Sequence, residues 1–310
     1  MHKQHTQSAA LSLLLLLGTP ACLAGEEPAD ELVAAAGSTT RPGWTRLVYT
    51  GDDLPGKPST SLELTESSMD ALAINGARVP ENTITPFTAH QVRLLTVSGQ
   101  GQAPHTVLRI WFDGETGTVL QRDRLKSGPD GSRKIHRYGP DGATRVRLKP
   151  AGRAQAQATP ATWTQRKDKA YPYDLAAAGC SYVTVPALLL YAVSSVQTGN
   201  TGSFLCVFQD DTLYRVWLEP QGSAPVAVDY TIRSGTGERR VTGEQMLEKI
   251  GLRIEPVSGR QDATGFELLE LRGEIALHID PDTRLPVGIS GSRSLYRDIN
   301  IRLSAVTVTE

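Results

Sequence analysis

The sequence predicts a mainly β protein whose sheet is built from antiparallel meanders and carries one packed apolar helix. Three observations lead to this fold class. Short alternating runs separated by Pro- and Gly-containing turns fill the region from His105 to Pro150, similar runs return after Phe204, and one strongly apolar helical pattern lies between them. The chain has 310 residues, which is enough for one large core or two small ones.

The start of the chain has the organisation of a secretory signal peptide. A weakly basic beginning precedes an apolar run over 9–17, and small residues follow up to Ala24 and Gly25. We expect cleavage between those two residues, a signal peptide at 1–24 and a mobile leader at 25–42. The apolar run is far shorter than the ~20 residues needed to cross a bilayer. We therefore expect no transmembrane segment and an exported, periplasmic protein.

Cys22 offers an alternative to simple cleavage. As the lipidated first residue of a lipoprotein, it would anchor the chain to a membrane surface. Residues 19–21 fit a lipobox poorly, because a Leu usually stands three places before the lipidated cysteine. We favour cleavage after Ala24 and keep a lipoprotein anchored through Cys22 as the alternative.

The region from His105 to Pro150 is the clearest structural signal. Its four alternating runs are separated by turns such as Pro129-Asp130-Gly131 and Pro140-Asp141-Gly142. Pro fixes the φ angle of a turn, and Asp-Gly supplies its left-handed position. The turns leave no room for crossover helices. The region therefore predicts an antiparallel meander.

The mature chain is expected to form one β-rich domain, residues 43–310, in two halves. The halves cover 43–150 and 171–310. Between them, residues 151–170 are rich in Ala, Gln, Thr and Pro and predict a polar linker or a long surface loop.

The second half opens with the predicted helix. Thr184 can cap it, Pro186 suits its first turn, and Gly199 can end it. Its apolar residues share one face; they include Leu189, Leu190 and Val193. A helix this apolar must pack on a sheet.

Two cysteines remain after removal of the signal peptide. Cys180 stands just before the predicted helix, and Cys206 lies in the strand that follows it. In an oxidising compartment such a pair most often forms a disulfide, which would be worth roughly 3 kcal/mol. We expect this bond to join the helix to the sheet.

Residues 242–245 resemble a capping box that opens a short helix ending at Gly251. The alternative interpretation is an irregularly paired hairpin tip. Strand-like runs then continue to the end of the chain, with a turn at 280–284 before the last two.

Standard catalytic motifs are missing: no HExxH, GxSxG, phosphate-binding glycine loop or paired-cysteine motif is present. His278 is expected on the solvent face of its strand, opposite Leu277 and Ile279. The aspartates at 210–211 and 280–282 fit hairpin turns. We assign no catalytic, cofactor-binding or metal-ligating residue, expect no cofactor, and lean towards a non-enzymatic protein.

Lys and Arg outnumber acids between Arg122 and Arg153, and Arg145, Arg147 and Lys149 share one strand face. We favour a solvated outer face that discourages edge-to-edge aggregation. The functional alternative is a surface for lipid headgroups, anionic glycan or peptidoglycan. Nucleic acid is not expected, because stacking aromatics are lacking beside the basic residues and the net charge is only −1.

The layout resembles the exported bacterial family called domain of unknown function 3108. The resemblance runs from about Trp44 to the end and includes the YPYD segment at 171–174, the run FLCVFQDDTLYRVWL at 204–218 and the IDPDTRLPV turn at 279–287. It implies an extended, curved antiparallel sheet or half-barrel in the cell envelope. The family has no established activity, so it implies no catalytic residues. The Ala/Gln/Thr-rich linker and the two cysteines depart from the family pattern.

A curved sheet with a covering helix creates a concave apolar surface. We therefore expect a periplasmic protein that binds a lipid or another apolar, envelope-derived ligand, or a partner protein, in cell-envelope maintenance. The alternatives are a hydrolase whose site is assembled from distant loops and a structural partner in envelope assembly. The oligomeric state stays open.

Overall fold

The structure, a computed structural model, describes residues 42–51, 57–74, 84–100, 105–195, 204–259, 263–293 and 296–309. The predicted signal peptide at 1–24, its cleavage between Ala24 and Gly25, and the alternative lipidation of Cys22 lie outside the described residues. The same holds for Gly199 and for the predicted leader up to residue 41.

The described strands are numbered in chain order. They are β1 Trp44–Thr50, β2 Ser59–Glu66, β3 Val92–Gln100, β4 Thr106–Asp113, β5 Val119–Lys126, β6 Ser132–Gly139, β7 Gly142–Lys149, β8 Gln165–Pro172, β9 Phe204–Gln209, β10 Thr212–Ser234, β11 Gly237–Ser258, β12 Arg272–Ile279, β13 Pro286–Arg293 and β14 Tyr296–Val308. The α-helices are α1 Met69–Ile74, α2 Arg153–Ala156 and α3 Leu189–Ser195. Short 3₁₀ turns cover Pro160–Thr162, Pro186–Leu188 and Ala263–Gly265.

These strands form one mainly antiparallel sheet, as predicted. Its order is β8-β7-β6-β5-β4-β3-β2-β1-β14-β13-β12-β11-β10-β9. The two halves are joined within the sheet by the antiparallel pairing of β1 with β14. The first and last strands of the domain thus meet at its middle, and β8 and β9 are left at opposite ends.

The sheet is strongly curved. Fourteen strands about 4.8 Å apart would span roughly 60 Å if the sheet were flat. Yet the ring of Phe208 in β9 lies 5.8 Å from that of Tyr171 in β8 and 5.9 Å from that of Tyr138 in β6. The sheet therefore bends until its two ends touch through aromatic side chains.

The second half contains a long hairpin. β10 and β11 pair along almost their whole length, and the far end of β10 turns back to pair in parallel with β14 through Thr231–Arg233. The strands β10 to β14 consequently form a closed ring of pairings.

The main core occupies one face of the sheet, which we call the inner face. Leu47, Leu62, Leu95 and Ile110 are fully buried there on successive strands β1 to β4. Two smaller clusters lie on the outer face, one of them formed by Val146, Leu148 and Trp163.

The helix α3 packs on the inner face at one end of the strands. The indole of Trp44 donates to Ser194 Oγ at 3.0 Å, and the ring of Tyr191 meets that of Phe112 edge-on at 4.9 Å. Arg93 Nη1 donates to the Tyr191 hydroxyl at 3.2 Å. The predicted apolar helix is confirmed, but it is short and begins with a 3₁₀ turn.

Thr184 does not cap the helix. Its N–H donates to the Cys206 carbonyl at 2.8 Å, and its carbonyl accepts from the Phe208 N–H at 2.9 Å. The backbone of Thr184 thus pairs with β9 in parallel and covers part of its edge. Cys180 and Cys206 form the expected disulfide, with Cα atoms 6.2 Å apart.

The predicted linker 151–170 is ordered, and its last part is strand. β8 begins at Gln165 and pairs with all of β7, while the buried Trp163 packs on Val146 and Leu148. The polar composition of β8 reflects its position at the sheet edge, where exposed charges discourage further pairing.

Residues 242–251 form neither a helix nor a hairpin tip, so both interpretations of this segment were wrong. They lie inside β11 and pair continuously with β10, from Asp229↔Thr242 to Glu219↔Gly251 with one irregularity. Partner hydrogen bonds along the long hairpin override the local capping pattern.

Candidate functional site

A cavity of about 440 Å³ lies on the inner face, towards the ends of the strands that α3 leaves uncovered. Gly51, Ser59, Gly99 and Lys126 mark this end on strands β1 to β5 or their turns. The volume falls within the ~300–1,000 Å³ typical of small-molecule sites.

The cavity lining combines apolar and charged side chains. Its apolar residues include Val97, Leu108, Ile110, Val185, Leu271 and Ile301. On the inner face of β5, Arg122 pairs directly with Ile110 and Arg124 with Leu108, and Lys126 follows two residues further along the strand. A fourth cation, Arg293, also lines the cavity and forms an ion pair with Glu270.

The cations of β5 begin a larger set on the same face of the sheet, which we call the cationic face. It consists of Arg122, Arg124 and Lys126 of β5, Lys134 and His136 of β6, Arg145, Arg147 and Lys149 of β7, and Lys167 and Lys169 of β8.

Strand register arranges the cationic face in rows. Arg122 pairs with His136, His136 with Arg145, and Arg145 with Lys169. In a second row, two residues nearer the open end, Arg124 pairs with Lys134, Lys134 with Arg147, and Arg147 with Lys167. Directly paired residues have side chains on the same face of a sheet, so the basic residues of each row are neighbours.

Crowding and burial disfavour positive charge in this region. The pKa of His136 lies well below 6.5 because the ring is fully buried and because Arg122, Arg145 and Lys134 repel a proton. Burial also lowers the pKa of Lys134, and Arg124, Arg147 and Arg145 add to that effect. The basic residues of the cationic face therefore repel one another.

Two acids lie opposite part of the cationic face. Burial and Arg122 lower the pKa of Arg124, while attraction from Asp210 and Glu270 opposes this shift. Asp210 acts in the same sense on the pKa of Lys134. Both acids line the cavity, Asp210 from the turn between β9 and β10. They offset only part of the excess positive charge.

Several polar atoms of the cationic face are buried without a hydrogen-bond partner among the described residues. They include both ring nitrogens of His136, Arg145 Nε and Arg147 Nε. His136 is only 2% exposed. Leaving a buried polar group unpaired costs roughly 1–3 kcal/mol. The two guanidinium nitrogens are therefore suited to an acceptor supplied from outside the chain, and a neutral His136 ring can donate to one from a single nitrogen.

The predicted residues Arg145, Arg147 and Lys149 all belong to the cationic face. The sequence favoured a solvated outer face for them, but they share the inner face with the main core and are half-buried. The sequence did not lead us to predict that the basic residues of β5 are contact residues. The alternation of basic residues at 122, 124 and 126 was the available signal, but the sequence does not say which face of a strand turns inward.

The histidines do not converge on a catalytic arrangement. His278 is half-buried and lies 3.3 Å from Ser290 Oγ, while exposed His105 lies 3.4 Å from the Gly99 carbonyl through Nδ1. No hydrogen bond in the described part of the chain joins a carboxylate to either ring or to His136. The Asp280 carboxylate serves its turn by accepting from the N–H groups of residues 282 and 283.

Within the described residues, no cluster of three or more His, Cys, Asp or Glu side chains is placed to hold a metal ion. None of the helices in that same part of the chain is long and apolar enough to span a membrane. The disulfide is compatible with an exported protein.

No family model matches the chain, and no curated protein or solved structure matches it either. The resemblance to the domain of unknown function 3108 stays a prediction.

Proposed function

We propose that the protein binds an anionic amphiphile, with the acyl chain in the cavity and the head group on the cationic residues of β5. The observation that carries this proposal is a single cavity lined both by apolar side chains and by Arg122, Arg124 and Lys126, with Ile110 and Leu108 directly beside the first two cations. The proposed binding is non-enzymatic.

The apolar lining supports the acyl part of the ligand. Leu108 is half-buried, and Val97, Ile110 and Ile301 are buried beside the cavity. Covering apolar surface with a hydrocarbon chain stabilises a complex by about 25 cal/mol per Å² removed from water. Pro186 and Ala187 of the 3₁₀ turn before α3 also line the cavity, so we expect a chain to enter from the opposite, open end of the strands.

The cations support a negative head group at that open end. Lys126 lies nearest the strand end, followed inward by Arg124 and Arg122. Charge-assisted hydrogen bonds from Arg to phosphate or carboxylate are roughly twice as strong as neutral ones. A trimethylammonium head group has no acceptor for such bonds and would add to the repulsion among these residues.

The setting we propose is the periplasm, reached through the signal peptide at 1–24. Anionic amphiphiles are constituents of the cell envelope, so the proposed ligand is envelope-derived, as the sequence led us to expect. An envelope protein could receive such a ligand from the cavity.

Isothermal titration calorimetry below the micellar concentration tests the proposal. We expect dodecyl phosphate to bind at one site per chain and dodecyltrimethylammonium to bind at least about tenfold more weakly. Arg122→Gln combined with Arg124→Gln should reduce the difference in affinity between these two amphiphiles.

A matched pair of variants locates the acyl chain. Leu108→Trp places a large ring in the cavity and should abolish dodecyl phosphate binding. Val107→Trp adds the same ring on the opposite face of β4 and should leave binding unchanged. Circular dichroism and thermal melting establish that both variants are folded. Equal binding by the two variants, or no binding by the wild type, contradicts the proposal.

A further inference from the structure

The cationic face is larger than one singly charged head group needs. Of the cationic face, the cavity lining includes only the three residues of β5. Lys134, Arg145, Arg147 and Lys149 continue the same rows onto β6 and β7 and are half-buried, and β8 adds two exposed lysines. A single carboxylate or phosphate at β5 would leave most of these charges without a counter-ion.

The dimensions of the cationic face indicate the size of its ligand. Neighbouring strands are about 4.8 Å apart, and residues two apart along a strand are about 6.8 Å apart. The two complete rows from β5 to β8 therefore cover roughly 14 Å by 7 Å. This area accommodates several anionic groups side by side.

The buried, unpartnered atoms lie in the middle of these rows. His136 is flanked by Arg122 on β5 and Arg145 on β7, and neither ring nitrogen has a hydrogen-bond partner among the described residues. Arg145 Nε and Arg147 Nε lack partners in the same sense. Acceptor oxygens from a ligand would satisfy groups on two adjacent strands at once.

The acids that act on these rows are fewer than the Arg and Lys residues in them. Asp210 acts on Arg124 and Lys134, and Glu270 acts on Arg124. Asp211 and Asp210 also act on Tyr171 of β8, over whose ring the guanidinium of Arg145 lies at 5.3 Å. The described part of this region therefore carries an excess of positive charge.

We infer that the cationic face binds a group carrying two or more phosphates, which extends from the cavity across β6 and β7. The inference rests on the proposed function, because this group is taken to be the head of the amphiphile whose chain fills the cavity. Its chemistry is shared by a phosphorylated lipid head group and by a free polyphosphate.

Calorimetric titration of the protein with sodium tripolyphosphate, compared with orthophosphate, tests the inference without any acyl chain. We expect tripolyphosphate to bind at least about tenfold more tightly, because it can engage cations on more than one strand. Arg145→Gln combined with Arg147→Gln should weaken tripolyphosphate binding at least about tenfold. Asp210→Asn should strengthen it, because it removes a competing charge.

A charge-matched control distinguishes a site from general electrostatic attraction. Arg109→Gln combined with Arg166→Gln also removes two positive charges, but from exposed residues on the outer face. We expect tripolyphosphate affinity to change by less than about twofold in this control. An equal loss in both double variants overturns the inference, since the location of the charges would then not matter.

Parallel titrations with dodecyl phosphate separate this inference from the proposed function. If dodecyl phosphate binds and tripolyphosphate binds no better than orthophosphate, the inference of a multiply phosphorylated head group is overturned. The proposal of an anionic amphiphile then stands. If tripolyphosphate binds through Arg145 and Arg147 while no acyl compound binds, the site takes free polyphosphate, and both the amphiphile and its phosphorylated head are overturned.

Discussion

The inner face of strands β1 to β4 and that of strands β5 to β8 belong to one continuous antiparallel run, yet their chemistry is opposite. On β1 to β4 the inner face carries buried aliphatic and aromatic side chains such as Leu47, Leu62 and Leu95. On β5 to β8 the corresponding central positions carry the cationic face.

The difference follows what each part faces. The inner residues of β3 and β4 meet α3, so apolar side chains there are removed from water. The cationic rows meet instead the cavity and the turn between β9 and β10. Even on β5 to β8, the positions nearest α3 return to apolar or aromatic residues, namely Val119, Tyr138 and Tyr171. One architecture thus provides a core at one end of its strands and a charged site at the other.

The largest expected effect concerns stability. Leu95→Ala removes a fully buried side chain from the aliphatic part and should lower the free energy of unfolding by about 2–5 kcal/mol. Arg147→Ala, on the cationic face, should change it by less than about 1 kcal/mol, because the side chain is half-buried and lies among like charges. Urea denaturation measures both values. Similar losses would mean that the two parts contribute equally to the core.

On the outer face of β5 and β6, an ion pair stabilises the strands that carry the cationic face. Asp123, with a side chain 2% exposed, accepts hydrogen bonds from Arg133 Nε and Nη2, so Asp123→Asn should cost roughly 1.5–3 kcal/mol. The control is Asp168→Asn, which alters an exposed pair with Arg166 and should cost under about 1 kcal/mol. Chemical denaturation of the two variants tests this ranking, which equal costs would contradict.

A pH dependence of stability should distinguish the buried histidine of the cationic face. Unfolded His136 takes up a proton near its ordinary pKa of 6.5, whereas burial keeps the folded side chain from protonating until well below that pH. The unfolded state therefore binds more protons as the pH falls from about 7 to about 5, and stability decreases. His136→Gln should flatten that decrease.

His278→Gln is the matched control for this pH dependence. The pKa of His278 is also lowered, through burial and Lys249, but the ring is only partly buried. We expect its replacement to flatten the profile less than His136→Gln does. Unfolding curves at several pH values provide the comparison, and a larger effect at His278 would contradict the assigned burial of His136.

The smallest expected effect is that of salt. Raising the ionic strength from about 0.05 M to about 0.5 M screens repulsion within the cationic face and should raise the free energy of unfolding by under about 1 kcal/mol. Arg145→Gln combined with Arg147→Gln should reduce this gain, whereas the outer-face pair Arg109→Gln and Arg166→Gln should not. Denaturation midpoints at the two salt concentrations provide the measurement.

Local patterns predicted much of the first half correctly. The turn at Pro140-Asp141 lies between β6 and β7, and the alternating runs from His105 to Pro150 became four consecutive paired strands. These features were predictable because the period of side chains along a strand and the dihedral preferences of turn residues are local properties. The disulfide was predictable because few cysteines leave few pairings.

The candidate site was predicted only in part, because its residues are brought together by register and curvature. Arg145, Arg147 and Lys149 were singled out, but their proximity to His136 and Arg122 depends on cross-strand pairing. The strand at 242–251 and the ordered end of the linker at 165–170 were missed for a similar reason. The segment 165–170 is polar and the segment 242–251 begins with a capping pattern, and in both a neighbouring strand supplies the hydrogen bonds that hold the backbone extended.

The sequence by itself determined the fold class, the apolar helix and the cysteine pair, since each follows from periodicity, turn chemistry or composition over a short stretch. The tertiary structure decided that β1 pairs with β14, that the sheet bends until Phe208 reaches Tyr171, and that the cationic rows turn inward. A strand pattern marks two faces without stating which one is enclosed. Only the closure of the whole sheet determines that, and with it the chemistry of the cavity.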